Sequence, residues 1–356
     1  MQDVIDRFAS TIRATHPGSP LWIRGGDSKN FYGNRIPGRD NNLLDARPYH
    51  GIVSYEPTEL VVTARAGTRL IDLESELFAN RQMLAFDPPH FTESATIGGC
   101  VAAGLSGPRR ASAGSVRDFV LGVRMLDGRG DDLHFGGQVM KNVAGYDVSR
   151  LMAGSMGTLG LLLEISLKVL PRPPVEMTVT LQMNESEAIE RLNHWSGKPL
   201  PISATCFHNN LLTLRLSGAE PAVRAAHLKL GGERLEEGDA FWRSVRDQTH
   251  PFFQSERTLW RLSIKSTTPP LSLPGPQLTE WGGSLRWLIA GPALAHEEVR
   301  KVAKAAGGHA TLFRGCTPST EAFHPLSPEM MLIHHRLKEK FDPLRILNPG
   351  RLYPDL

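Results

Sequence analysis

Apolar residues change their spacing several times along this chain, and each change marks an element. In "QDVIDRFASTIR", Val4, Ile5, Phe8 and Ile12 recur at helical spacing, with Asp3, Asp6 and Arg13 on other faces. "PLWIRGG" is a short apolar run that stops at a glycine pair, a strand running into a loop. "ELVVTARAG" is strand-like. "TRLIDLESELFANR" is helical, with Thr68 as its N-cap and apolar residues at 70, 71, 73 and 77. "FVLGVRMLDGRGDDLHFGG" predicts a hairpin about an Asp-Gly turn. "NVAGYDVSRLMAGSMGTLGLLLEISLKVLPRPP" predicts helix, turn and strand, ended by the proline cluster at 171–174.

Beyond that cluster the rhythm becomes strand, helix, hairpin, helix. "VEMTVTLQM", "SATCFHNNLLTLRLSG", "TLWRLSIKS", "SLRWLIAG" and "HATLFRG" supply strands. "NESEAIERLNHW", "AEPAVRAAHLKLGG" and "AHEEVRKVAKAAGG" supply helices between them. This predicts an antiparallel sheet with interspersed helices, an α+β arrangement. "SPEMMLIHHRLKEKFDP" reads as a last helix with Pro328 in its first turn, and "LRILNPGRLY" as an extended arm. The expected division is 1–171, 172–315 and a returning segment 316–356. No internal repeat or low-complexity tract stands out.

Composition narrows the function. A chain of 356 residues fits two or three domains, and 40% hydrophobic residues suffice for their cores. Forty basic against 37 acidic residues give a net charge of +3, which does not suggest a nucleic-acid binder. No run of 18 apolar residues predicts a membrane span, and the acidic start lacks the apolar core of a signal peptide. Cys100, Cys206 and Cys316 lie far apart with no CxxC pair, so iron–sulfur clusters and zinc ribbons are not expected. The sparse, odd count fits a reducing compartment, and a cytoplasmic location is expected.

The chemistry concentrates in three glycine-rich loops. "RGGDSKNFYG" lets consecutive N–H groups turn toward one point, a nest that binds anions, and Ser28 and Lys29 add donors. A plain surface turn would use the same residues. "ATIGGCVAAGLSGPRRASAGSVRDFVLG" allows backbone to approach something large and flat, and "AGSMGTLG" precedes a strand. Neither a Walker loop nor GxGxxG is present. Three such loops, each beside a strand, point to an extended ligand such as a dinucleotide. Other candidates carry less. His309 opens a strand and could be a base or a turn histidine. His334 and His335 point to different faces of one helix, poor geometry for a metal. Lys141 and Tyr146 could face a cofactor, a partner or solvent. Arg109 and Arg110 could pair with a pyrophosphate or a carboxylate, or lie solvated. Trp22, Trp242, Trp260, Trp281 and Trp287 read as packing residues. No catalytic residue and no metal ligand is assigned.

These loops resemble the FAD-binding domain of the vanillyl-alcohol oxidase and p-cresol methylhydroxylase family. The likeness rests on Arg24-Gly25-Gly26-Asp27-Ser28, on Thr96-Ile97-Gly98-Gly99 with Gly114, Asp118 and Leu121-Gly122, and on Gly154-Ser155, Gly157-Thr158-Leu159-Gly160, Glu164, Lys168 and Pro171. Asp342-Pro343 and Asn348-Pro349-Gly350-Arg351 match the family's terminal arm. "GPRRASAGSVRDFVLG", "FGGQVMKNVAGYDVSRLMAGSMGTLG" and "FDPLRILNPGRLY" are closer still to the FAD-binding E subunits of bacterial glycolate oxidase. The resemblance implies an α+β fold: a two-part FAD-binding domain, a smaller antiparallel (ferredoxin-like) cap, and an arm returning to the cofactor. It implies FAD contacts from Arg24, Gly25, Gly26, Asp27, Ser28, Thr96, Ile97, Gly98, Gly99, Ala103, Gly104, Gly114, Asp118, Gly160, Leu162 and Asn348. Asp27-Ser28 stands where some relatives carry the histidine that attaches FAD, which implies noncovalent FAD. The HxGDGN-like and EHGxG-like stretches of stand-alone 2-hydroxy-acid dehydrogenases are absent. The chain is then expected to relay electrons or support assembly, beside a catalytic flavin subunit and an iron–sulfur subunit that oxidise glycolate or D-lactate, with membrane association only through that complex. A structural scaffold and a stand-alone dehydrogenase are the alternatives.

Overall fold

The computed structural model describes residues 1–137 and 147–356, and for Asp40 the backbone alone. Lys141 and Tyr146 lie outside the described residues.

Helix α1 (Gln2–Arg13) buries Val4, Ile5, Phe8, Ala9 and Ile12. Strands β1 (Trp22–Arg24) and β2 (Leu43–Asp45) pair in parallel beside it. The order then runs β3 (Ile52–Glu56), β4 (Val61–Arg65), α2 (Leu70–Ala79), β5 (Gln82–Met83), α3 (Ile97–Ala103), the single turns α4 (Arg110–Ala113) and α5 (Val116–Phe119), β6 (Val120–Leu126), β7 (Asp132–Gly136), α6 (Val148–Leu151), β8 (Leu161–Lys168) and β9 (Leu170–Pro171). Five strands form an antiparallel sheet in the order β3-β4-β8-β6-β7. Val62, Leu73, Leu77, Ile97, Val101, Ile165 and Leu167 fill the layer between that sheet and helices α2 and α3.

Three local expectations need correction. Thr68 is not the cap of α2; Arg69 holds that position, and the Thr68 hydroxyl binds Gly51 N and O at 2.9 and 3.1 Å. Ile71, placed on the apolar face of that helix, is 44% exposed. The β6–β7 connection is a five-residue loop, since Leu126 pairs with Asp132. There Asp127 Oδ1 accepts from the N–H groups of Arg129 and Asp131, so one side chain orders the whole loop.

The second half holds β10 (Val175–Gln182), α7 (Glu185–Ser196), β11 (Ile202–His208), β12 (Leu211–Gly218), α8 (Glu220–Leu230), β13 (Glu233–Arg234), α9 (Gly238–Arg246), β14 (Thr258–Ser263), β15 (Gln277–Glu280), β16 (Leu285–Ala290), α10 (His296–Ala305) and β17 (His309–Arg314). Eight strands form one sheet in the order β13-β10-β12-β11-β15-β16-β14-β17. Strands β10 to β13 with α7 and α8 make a ferredoxin-like βαββαβ unit, spatial order 4-1-3-2. Strands β14 to β17 repeat that order, with α10 as the second crossover. Pro269, Pro270, Pro274 and Pro276 keep the first crossover of this unit from forming a helix. The two units join where β11 meets β15, with Cys206 opposite Glu280. Helices α7, α8 and α10 cover one face of the sheet. The other face, with Cys206, Leu259, Leu278, Trp287 and Phe313, packs on Tyr32, Ala103, Leu105 and Met156.

Buried charge crosses this junction as well. Arg109 Nη2 donates to Glu176 Oε1 at 2.6 Å, and Arg215 Nη2 to Asp87 Oδ2 at 2.7 Å. Helix α11 (Pro328–Phe341) follows the sheet. The arm after it is not extended. Arg345 and Asn348 take positive φ, and Leu347 bridges Leu21 in parallel.

Candidate functional site

Strand β1 ends at Arg24, and the glycine pair after it presses on the second loop. A Cβ on Gly25 would lie 2.5 Å from Thr96 Oγ1, and one on Gly26 1.5 Å from the Ser94 carbonyl oxygen. Ser94 Oγ donates to Gly26 O at 2.6 Å, so the loops are stitched together. Thr96 caps α3, its hydroxyl accepting from Gly99 N. Among the described residues, none of the main-chain N–H groups of residues 25–29 has a hydrogen-bond partner. Five neighbouring free donors form the nest that the sequence suggested.

Those residues line a cleft of about 80 Å³ with Thr96, Gly99, Ala102, Ala103, Met156, Asn348, Arg39 and Arg351. The cleft shares Asn30, Arg39 and Arg351 with a cavity of about 360 Å³ that Arg35, Gly315 and Cys316 also border. Its charge is mostly positive. Lys29 is 8% exposed, donates to Ser28 Oγ at 3.2 Å and sits over the Phe91 ring, and burial lowers its pKa. Arg24 lies 3.6 Å from Asp45 and keeps a buried Nε without a partner. The arm closes the cleft. Asn348 Oδ1 accepts from Ile23 N at 2.8 Å, and its Nδ2 donates to Met156 O at 2.6 Å. Buried Arg351 donates to the carbonyls of Asn30, Tyr32 and Asn34. Lys338 and Asp342 anchor the arm. Lys338 Nζ donates at 2.8 Å to Thr158 O, Asp342 Oδ2 and Leu347 O.

Of the sixteen cofactor candidates, Arg24, Gly25, Gly26, Asp27, Ser28, Thr96, Gly99, Ala103 and Asn348 line this cleft. The other seven do not line it. Ile97 and Leu162 are core residues. Gly98 packs on Ala66, Gly104 on Gly154 and Gly160 on Met125 and Leu126. Gly114, at φ 107°, adjoins Asp118, which completes a capping box with Ser115. Arg39, Asn30, Ala102 and Met156 also line the cleft and carried no sequence signal; Arg351 stood in the terminal motif. Arg109 is committed to Glu176, and exposed His309 lies away from the cleft lining. No cluster of three metal-ligating side chains occurs among the described residues.

The glycolate oxidase subunit GlcE of Escherichia coli (strain K12) is 48% identical over 338 residues, covering 95% of this chain and 94% of that protein. The chain belongs to the GlcE family. Residues 5–136 match the family described as FAD binding domain, the segment that carries the first two glycine loops. Outside the GlcE family the likeness is partial. The glycolate oxidase subunit GlcD of Bacillus subtilis (strain 168) is 30% identical over 43% of this chain and 33% of its own length. A D-lactate dehydrogenase of Anaerostipes hadrus is 36% identical over 37% of this chain and 27% of its own. The fold matches that of an alkyldihydroxyacetonephosphate synthase at TM-score 0.65 and 15% identity, over 99% of this chain and 76% of that one. Among the described residues no helix is long and apolar enough to cross a membrane.

Proposed function

We propose that this GlcE-family chain is the FAD-binding subunit of a glycolate-oxidising complex and that it relays electrons or supports assembly. The observation that carries this is the nest of five unpaired N–H groups at residues 25–29, beside Lys29, Arg39 and Arg351. A diphosphate needs convergent N–H donors and nearby cations, and this cleft offers both. Gly25 and Gly26 have no space for a Cβ, so the loop lies flat against residues 94–96. The cleft and the adjoining cavity share Asn30, Arg39 and Arg351 in their linings, so an extended ligand such as a dinucleotide can run from one into the other. FAD supplies the redox chemistry, taking up two electrons and releasing them one at a time.

The chain's own residues hold and shield. Backbone N–H groups 25–29 and Lys29 bind the diphosphate. Asn348 fixes β1 against Met156, and Arg351 fixes the loop 30–34. Asp27 and Ser28 offer no imidazole for a covalent link, so FAD is held noncovalently. Among the described residues, the cleft lining presents neither a histidine nor a paired acid and base to a substrate. A catalytic flavin subunit would supply those, and an iron–sulfur subunit the onward path. Association with the membrane would come through the complex.

The test is a visible spectrum of the purified chain before and after acid precipitation. Oxidised flavin bands that move to the supernatant are expected. A colourless chain that takes up no added FAD would sink the proposal. Glycolate should bleach the flavin only when the partner subunits are present, and bleaching by the chain alone would overturn the relay role.

A further inference from the structure

A pocket of about 200 Å³ lies between α5, α6 and the third glycine loop on one side and α11 and the arm on the other. Leu151, Leu159 and Leu337 make its apolar part. Arg117, Arg150 and His334 also line it, and among the described residues no carboxylate does. Arg117 is exposed and makes no hydrogen bond or ion pair among the described residues. Arg150 is shared with exposed Asp147 at 3.3 Å. His334 Nδ1 lies 2.8 Å from Met330 O, which leaves Nε2 for another partner. One loop separates this pocket from the cofactor cleft. Ser155 and Thr158 line the pocket, whereas Met156, between them in sequence, lines the cleft. The apolar surface continues outward along α11. Met330 and Ile333 stand one turn before His334 and Leu337, and they are 45% and 49% exposed. With Leu332 they make three of the nine large apolar side chains exposed among the described residues, all within one helical turn.

Folding does not call for this exposed turn. Helix α11 is already tied down by buried Lys338 and Phe341 at its other end. A cluster of exposed apolar residues beside a pocket marks a contact surface, with the pocket ready for an anchoring side chain. We infer that this pocket and the apolar turn of α11 are the docking site for the iron–sulfur subunit, which inserts an apolar side chain flanked by carboxylates. The unpaired Arg117, with Arg150 and His334, selects acidic neighbours for that anchor. A second copy of this chain fits poorly, because a two-fold axis would set the same guanidiniums against each other. A partner seated here is one loop away from the cleft, where a chain that draws electrons from bound flavin must stand. The choice of partner therefore rests on the relay reading, whereas the surface itself does not.

In the test, the full chain is held by an N-terminal tag, and the purified iron–sulfur and catalytic flavin subunits are titrated onto it separately. The iron–sulfur subunit should bind saturably, and more weakly as salt is raised. Ile333→Glu should weaken that binding at least about tenfold. Arg117→Glu should weaken it several-fold and flatten its salt dependence. Both positions are exposed, so the thermal midpoint and the acid-released flavin should match the parent. Should Ile333→Glu fail to fold, Arg117→Glu decides. A parent chain that does not bind the iron–sulfur subunit overturns the site. So does binding undiminished in both variants, or weakening confined to the catalytic subunit or to self-association. A colourless chain that still shows the Ile333→Glu effect would sink the flavin reading and leave the docking site standing.

Discussion

Replacing Lys338 by methionine tests how the C-terminal arm is held. Lys338 is 1% exposed and Asp342 0%. The ammonium makes three hydrogen bonds at 2.8 Å, to Thr158 O, Asp342 Oδ2 and Leu347 O, so every N–H is used. Asp342 in turn accepts from Ile346 N at 3.1 Å and Leu347 N at 2.8 Å. Methionine fills similar space but leaves a buried carboxylate without its cation and two carbonyls without a donor. Breaking one side of such a pair costs about 3–5 kcal/mol. Against a total stability of about 5–15 kcal/mol this is a large fraction. In thermal and urea unfolding Lys338→Met should lose about 4 kcal/mol. Asp342→Asn in the same background should cost about 1–2 kcal/mol less than it does alone, because the two groups act as a unit. Flavin affinity should fall with the arm that carries Asn348 and Arg351. A loss under 1 kcal/mol, or strict additivity of the two substitutions, would refute the anchoring argument.

Two further outcomes follow from the geometry. Gly26→Ala places a Cβ on the Ser94 carbonyl and must part the two loops; the purified variant should retain its fold by circular dichroism yet lose most bound flavin, and full flavin content would be incompatible with the nest. Burial raises the Glu280 carboxyl from 4.5 to about 7, so the folded state holds this proton more tightly than the unfolded chain. Its contribution to stability is full below about 4.5, declines as pH rises toward 7 and is flat above. Glu280→Gln should therefore gain about 3 kcal/mol relative to the parent between pH 4.5 and 8, measured by urea unfolding; a pH-independent difference would falsify that account.

Much of the fold is legible in residues that act locally. Helix α1 follows from Val4, Ile5, Phe8 and Ile12, and β10 begins just after the prolines at 171–174. What escapes is what depends on distant partners. Thr68 looks like a cap until Gly51 takes its hydroxyl. Helix α9 escapes although Gly238, Trp242 and Val245 fall at helical spacing, because it spans only nine residues. The repeated ferredoxin-like order leaves no trace in the sequence because one crossover is helical and the other proline-rich. Within the site, the glycines of the first loop announce themselves because their backbone must approach something. Arg39 and Met156 do not, because only the fold brings them beside residues 24–28.

The bridge between Leu21 and Leu347 has a consequence for biosynthesis. The first glycine loop leaves the ribosome early, yet Asn348 and Arg351 complete its surroundings more than 300 residues later. A nascent chain thus carries the nest through more than 300 further residues without the means to close it. Stable cofactor loading is therefore expected only once the arm has been made. Ribosome-stalled chains that stop before the arm should stay flavin-free even though all three glycine loops have emerged.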